Sequence, residues 1–218
     1  MSYEDFNNYL NNIRRDFAGK PLDESSVKQN PFDQLYDWFD DAVGAQVLDP
    51  NAMLLSTVDK NLQPKSRVVL LRGIENGKLF FYTNYESDKG KEIEFCHKVA
   101  LNFFWLELNR QIRIEGTAQK CASEKSDAYF ASRPRDSQIG AWASAQSQSL
   151  SSRAELEEKF KYYQQKFEGK PVPRPPNWGG YEVSPEKFEF WQGRPNRLHD
   201  RILYLKSDNR WIIKRLYP

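Results

Sequence analysis

The sequence predicts an α+β fold built on a mainly antiparallel sheet that closes into a small barrel, with helices at its periphery. Three observations carry this reading. After Asp49-Pro50, helical periodicity gives way to short apolar runs separated by turn residues. The connectors DKNLQP and ENGK have turn chemistry and are short enough to require antiparallel neighbours. The same strand texture returns at the C-terminus, which favours one domain over residues 1–218 rather than two.

The elements follow in order. Phe6, Leu10, Ile13 and Phe17 recur at helical spacing and predict a helix over 3–18. Asn30 can cap a second helix with Pro31 in its first turn, burying a stripe of Phe32, Leu35, Phe39 and Val43. Strands are expected at 52–58, 67–72, 78–83, 99–105 and 110–118. SDKGKEIEF reads as a short helix, and 123–132 and 152–168 as longer ones, the last ending at Gly169. KPVPRPPNWGG reads as a loop, after which EKFEFWQG, LHDRILYLK and RWIIKRLY resume strand texture.

Composition excludes several functions. With 32 Lys+Arg against 30 Asp+Glu in 218 residues, the net charge of +2 supplies no broad basic field for nucleic acid. No apolar run suits a membrane helix, and MSYEDFNNYL is too polar for a secretory signal, so the cytoplasm is the expected compartment. Cys96 and Cys121 form no C-x-x-C pair, and His97 and His199 are the only histidines, so no metal site is expected. The 11 glycines include no G-x-G-x-x-G, P-loop or G-x-S-x-G. A phosphate site would therefore use side chains, and arginine suits that task.

Arginines gather in three places. In RVVLLR, Arg67 and Arg72 lie five apart on an expected strand, so they should face opposite ways; the plain alternative is a central strand with charged ends. In YFASRPRDSQIGAW, Tyr129 and Arg133 share a helical face before Pro134 stops the helix, and a new helix starting near Ser137 offers backbone N–H groups to an anion; a capped helix-turn-helix explains the same residues. In RPNRLHDR, Arg197, His199 and Arg201 recur at period two and should line one strand face, with Asp200 turned away and poorly placed to neutralise them. Trp191 adds a flat apolar surface nearby.

Taken together, RVVLLR, FFYTN, NRQIRIEG, SRPRDSQIGAW, the Gln-Ser of AQSQS, WGGYEV, EFWQG, NRLHDR and the terminal RLYP resemble the pyridoxamine 5'-phosphate oxidase family, in order from about residue 31 to residue 218. The resemblance implies a split β-barrel that binds flavin mononucleotide (FMN) and works as a homodimer, with FMN in a cleft between subunits. It implies oxidation of pyridoxamine 5'-phosphate or pyridoxine 5'-phosphate to pyridoxal 5'-phosphate, with dioxygen accepting the electrons and hydrogen peroxide released. It assigns Arg67, Lys89, Gln146 and Ser147 to the FMN phosphate, and Val68, Val69, Leu70, Tyr82, Thr83, Gln111, Trp191 and Arg201 to further FMN contacts. Arg72, Tyr129, Arg133 and Ser137 become the clamp on the substrate phosphate, separate from the FMN group. Arg197 and His199 become the catalytic pair over the substrate ring. Arg14 joins them from an N-terminal helix, 1–20, that resembles a mobile lid.

Three residues depart from the family pattern. Arg72 stands where lysine is usual, and Phe17 where tyrosine is usual, so a lid hydroxyl is lost. Asp88 stands where a basic residue is common; it is expected to turn away from phosphate and serve the first turn of its helix. The alternatives to an oxidase are a flavin or pyridoxal phosphate carrier on the same barrel, a flavin reductase, and a single-strand nucleic-acid barrel. Arg197 and His199 argue against the carrier, SRPRDS against the reductase, and the net charge against the last.

Overall fold

The computed structural model describes residues 1–13, 15–208 and 210–218. The chain forms two compact units: Met1–Leu48, Phe104–Ile112 and Glu189–Pro218 in the first, and Asp49–Phe103 and Arg113–Phe188 in the second. No helix among the described residues is long and apolar enough to cross a membrane.

In the first unit, α1 (Tyr3–Asn12) begins with a capping box between Ser2 and Asp5 but buries none of its residues. Without an apolar surface to pack on, the expected helix over 3–18 stops six residues early, and Ile13 is already extended. Arg14 lies outside the described residues. Helix α2 (Pro31–Gly44) starts as predicted, the Asn30 side chain accepting from the Phe32 N–H at 3.0 Å. Its buried face is rotated from the expected one: Pro31, Gln34, Leu35, Trp38 and Ala42 are buried, while Val43 is exposed and Phe32 and Phe39 are only partly covered. Trp38 sets the rotation. Its ring packs edge-on against Phe190 at 5.1 Å and lies under the Arg110 guanidinium at 4.4 Å, which in turn pairs with Asp41 at 2.6 Å.

The C-terminal hairpin of the same unit comprises β8 (Asp200–Ser207) and β9 (Arg210–Arg215), in antiparallel register with Tyr204 opposite Ile213. Tyr204 is fully buried and donates its hydroxyl to the Lys28 carbonyl at 2.7 Å. Arg215 ties the hairpin to residues 22–24 through Glu24 at 2.7 Å and the Leu22 carbonyl at 2.9 Å.

The remaining strands are β1 (Ala52–Val58), β2 (Pro64–Leu70), β3 (Gly73–Glu75), β4 (Lys78–Asn84), β5 (Lys98–Trp105), β6 (Arg110–Lys120) and β7 (Trp178–Gln192). Their order is β2-β1-β5-β6-β7-β4-β3, and the β1–β2, β1–β5, β3–β4 and β4–β7 pairs are antiparallel, as the sequence predicts. Strand β8 pairs with β7 and with β9. Met53, Leu55 and Thr57 of β1, and Val99, Leu101 and Phe103 of β5, alternate inward and form the core of the second unit with Phe81, Ile114 and Val183. Strand β7 begins at Trp178, eight residues before the expected strand, because WGG pairs with the end of β4: Asn84 faces Trp178 and Tyr82 faces Gly180.

Helices α3 (Asp88–Phe95), α4 (Ser123–Ser132), α5 (Arg135–Ala143) and α6 (Arg153–Lys166) belong to the second unit. Helix α4 ends where Pro134 requires, and Gly169 after α6 takes the expected positive φ of 67°.

Gly116 of β6 lets two strands approach closely: a Cβ there would strike the Ser184 carbonyl and lie 2.9 Å from the Pro185 Cα, both backbone atoms of β7. Gly44, at the end of α2, has nothing within 4 Å of its Cβ position. Gly116→Ala should lower stability in urea unfolding by about 1–3 kcal/mol, whereas Gly44→Ala should be neutral or stabilising by up to about 1 kcal/mol.

Candidate active site

A cavity of about 540 Å³ lies wholly within the second unit, in the ordinary size range of small-molecule sites. Its walls include Arg67, Val68, Val69, Leu70, Tyr82, Thr83, Lys89 and Gln146 of the expected cofactor residues. They also include Arg72, Tyr129, Arg133 and Ser137 of the expected substrate clamp. Gln111, Trp191, Arg197, His199 and Arg201 belong to the first unit, and Ser147, though in the second, does not line the cavity.

Arg67 is fixed from behind. Its guanidinium pairs with the buried Glu92 at 2.7 Å and donates to the Thr57 hydroxyl, while that hydroxyl donates to the same carboxylate at 2.5 Å. Glu92 sits three residues after Lys89 on α3, so one helical face carries both the cation and the carboxylate that steadies its neighbour. Ser87 caps this helix. Lys89 is buried, and its hydrogen bonds go to neutral groups, Gln146 Oε1 at 2.9 Å and the Ser87 hydroxyl at 3.4 Å. Burial, and then the charge of Arg67, pull its pKa below the usual lysine value. Thr83 donates to the same Gln146 oxygen at 3.1 Å. Asp88 is exposed in the first turn of α3 and absent from the cavity wall, as expected.

The second group of cations gathers around the α4–α5 corner. Gln138 of α5 donates to the Phe130 and Ala131 carbonyls at 2.9 and 3.2 Å, which fixes the corner on either side of Arg133. The Arg133 guanidinium lies over the Trp178 ring at 4.6 Å, and its Nη1 is buried without a hydrogen-bond partner among the described residues. Burial holds its pKa below the ordinary arginine value, and Arg72 adds to the effect. Tyr129 stacks on Tyr82 at 3.7 Å between centroids, and both are nearly parallel to Trp178. Gly180 makes room for this stack, since a Cβ there would meet the Tyr82 ring at 2.8 Å. Burial pushes the Tyr82 phenol up to about 12, so it stays protonated at neutral pH.

Two expectations about these groups need correction. Five-residue spacing on a strand sets Arg67 and Arg72 on opposite faces, yet both line one cavity. Strand β2 ends at Leu70, the Leu71 N–H goes to Asn51 and the Arg72 N–H goes to Phe80, so the two-residue alternation is broken before Arg72. The resemblance also implies two separate basic groups. They share one cavity, although the cation acting on Lys89 is Arg67 and the one acting on Arg133 is Arg72.

In the first unit, Arg197, His199 and Arg201 do not share a strand face. Pro195–Arg197 form a 3₁₀ turn in which Asn196 and Arg197 have positive φ, and β8 begins only at Asp200. Asp200 does neutralise arginines, Arg215 at 2.8 Å and Arg194 at 3.4 Å, and Arg201 pairs with the buried Glu189 at 2.9 Å. His199 Nδ1 accepts the Arg194 backbone N–H at 3.1 Å, which leaves the ring proton on Nε2. The ring sits 4.7 Å from Trp191 and 5.1 Å, edge-on, from Phe17. Phe17 thus packs against a predicted site residue.

Asn84, Ser144 and Trp178 also line the cavity and were not singled out by sequence. Asn84 and Trp178 lie within the quoted FFYTN and WGGYEV segments, and their cross-strand pairing on β4 and β7 supplies the missing signal. A larger groove of about 940 Å³, walled by Tyr85, Trp142, Tyr162 and Tyr163, contains none of the predicted site residues.

Residues 39–167 match the pyridoxamine 5'-phosphate oxidase family model, and residues 178–218 match the C-terminal dimerisation region of pyridoxine 5'-phosphate oxidase. The chain belongs to the pyridoxamine 5'-phosphate oxidase family. This is a family of oxidoreductases. The pyridoxine/pyridoxamine 5'-phosphate oxidase of Rubrobacter xylanophilus is 50% identical over 209 residues, covering 96% of each chain. That of Cytophaga hutchinsonii is 51% identical over 211 residues, covering 96% of this chain and 98% of its own. Among solved structures, PhzG from Burkholderia lata, in complex with tetrahydrophenazine-1-carboxylic acid, superposes with a TM-score of 0.86 at 28% identity, over 92% of this chain and 99% of its own. An FMN-binding protein from Nostoc punctiforme related to pyridoxamine 5'-phosphate oxidase shares the fold, with a TM-score of 0.68 at 16% identity over 91% of this chain and all of its own. The fold is the split β-barrel of this family.

Burial, and then the charge of Arg197, hold the His199 pKa below 6.5, against a smaller opposing effect of Asp200. The native state therefore binds the proton more weakly than the unfolded chain. The stability this confers is present above pH 6.5 and is lost as the pH falls through the lowered value. A proton NMR titration should place the His199 midpoint below 6.5, and Arg197→Ala should raise it.

Proposed function

We propose that this protein is an FMN-dependent oxidase of pyridoxamine 5'-phosphate or pyridoxine 5'-phosphate. The amine, dioxygen and water would yield pyridoxal 5'-phosphate, ammonia and hydrogen peroxide; the alcohol and dioxygen would yield the same aldehyde and peroxide. The observation that carries the reading is the cavity itself, where a buried lysine bonded to neutral groups and a buried Arg133 N–H without a partner among the described residues are suited to anions. Relatives at about half identity over nearly the whole chain carry the corresponding name.

The donor set fits the cofactor and the substrate. Arg67, Lys89 and Gln146 would hold the FMN phosphate, with Ser147 as a further ligand, while Val68, Val69, Leu70, Tyr82, Thr83, Gln111, Trp191 and Arg201 would make further FMN contacts. Bound FMN supplies the two-electron acceptor that no side chain offers. Arg72, Tyr129, Arg133 and Ser137 would clamp the substrate phosphate and so fix the reacting carbon relative to the flavin. Arg197 would contribute positive charge and His199 a neutral Nε2–H donor to the substrate ring, orienting it and stabilising negative charge on its phenolic oxygen. Arg14 would join them from the N-terminal segment. The match to a dimerisation region supports a homodimer, and FMN would sit in a cleft between its subunits. The free thiols Cys96 and Cys121 are in keeping with the cytoplasm.

Aerobic turnover tests the reading. Adding pyridoxamine 5'-phosphate to flavin-loaded protein should yield aldehyde and peroxide in equal amounts; tight binding with neither product would favour a carrier. Arg67→Ala should weaken FMN retention by about 10- to 150-fold, the worth of one hydrogen bond to a charged group. Arg197→Ala and His199→Ala should instead stay yellow and turn over slowly. Equal flavin loss in all three variants would refute this division of roles.

A further inference from the structure

Arg133 is held differently from Arg67 and Arg201. Arg67 is braced by Glu92 and Arg201 by Glu189, whereas Arg133 has no ion pair among the described residues. Its guanidinium rests instead over the indole of Trp178 at 4.6 Å and beside the Phe130 ring at 5.5 Å. A carboxylate would fix a guanidinium by occupying its N–H groups and cancelling its charge. An aromatic face attracts the cation through its quadrupole and leaves the N–H edge free, and tryptophan does this best. Nη1 is accordingly buried without a hydrogen-bond partner among the described residues.

Trp178 is itself well anchored. It is 7% exposed and packs with Phe130, Ile139, Phe167 and Val172. Arg174 donates to its backbone carbonyl at 2.6 Å, and the same guanidinium reaches Asp127 at 2.6 Å and the Ser123 hydroxyl at 2.8 Å. Ser123 and Asp127 lie on α4, the helix that carries Tyr129 and ends before Arg133. Arg174 thus ties the Trp178 backbone to the helix that carries Tyr129. The indole is also parallel to Tyr129, within 4°, at 6.2 Å.

We propose that Trp178 is a positioning residue for substrate affinity: it orients Arg133 and Tyr129 toward the substrate phosphate while leaving the Arg133 charge unneutralised. This rests on the reading above that Arg133 binds that phosphate.

The test is a kinetic double-mutant cycle on the flavin-loaded enzyme, with pyridoxamine 5'-phosphate as substrate. Trp178→Leu should raise KM roughly 2- to 30-fold, the range expected for a cation–π contact, and the loss should fall on KM more than on kcat. Trp178→Phe, which keeps a weaker aromatic face and guards against misfolding of the leucine variant, should lie between Trp178→Leu and the parent. In an Arg133→Ala background either substitution should add little, because the group it positions is gone. An undiminished penalty in that background would overturn the proposal, as would an unchanged KM in both Trp178 variants beside an impaired Arg133→Ala. An Arg133→Ala variant with unchanged KM would instead overturn the underlying assignment of the phosphate clamp.

Discussion

Like charges gathered on the wall of one cavity repel each other, and the chain accepts that cost in its second unit. Arg67, Arg72, Lys89 and Arg133 all line a single space, and burial with mutual repulsion lowers the proton affinity of Lys89 and Arg133. The surrounding structure is arranged around this constraint. The α3 helix supplies Glu92 to steady Arg67 from behind, Gln146 meets the Lys89 ammonium, and an indole rather than an acid supports Arg133. The wall is therefore left with positive charge and free donors facing a space of small-molecule size, which is the electrostatic condition for holding phosphates.

The sheet makes the convergence possible. Strand β2 places Arg67 opposite Leu55 of β1, within reach of Thr57 and Glu92, and its early end at Leu70 turns Arg72 into the same cavity. The β4–β7 pairing sets Tyr82 opposite Gly180 and Asn84 opposite Trp178, so a glycine lets the tyrosine ring lie flat and a tryptophan closes the wall. The first unit carries its own cluster, in which Trp191, His199 and Phe17 are in mutual ring contact and a strained turn carries Arg197.

Much of this was legible in the sequence wherever local chemistry decides it. The Asn30 cap, the stop before Pro134, the strands at 52–58 and 99–105 and the antiparallel connections all follow from short-range rules, and the structure realises them. Tertiary competition defeated the rest. Trp38 displaced Phe39 and Val43 from the buried face of α2 because Phe190 and Arg110 offered it a better seat. Strand spacing failed at Arg72 because the chain leaves β2 at Leu70, and at Arg197 because it enters β8 only at Asp200. Glu92 and Trp178 escaped notice for a related reason. An acid behind a cation, or an indole beneath one, acquires meaning only when a distant segment of chain is brought beside it.

The central claim is that one cavity holds two phosphates through two distinguishable sets of side chains. Phosphorus NMR of the protein loaded with FMN and pyridoxal 5'-phosphate tests it directly. The account predicts two shifted resonances, of which Arg67→Lys moves mainly the FMN signal and Arg133→Lys mainly the other. A single bound phosphate, or equal displacement of both signals by either substitution, would contradict it.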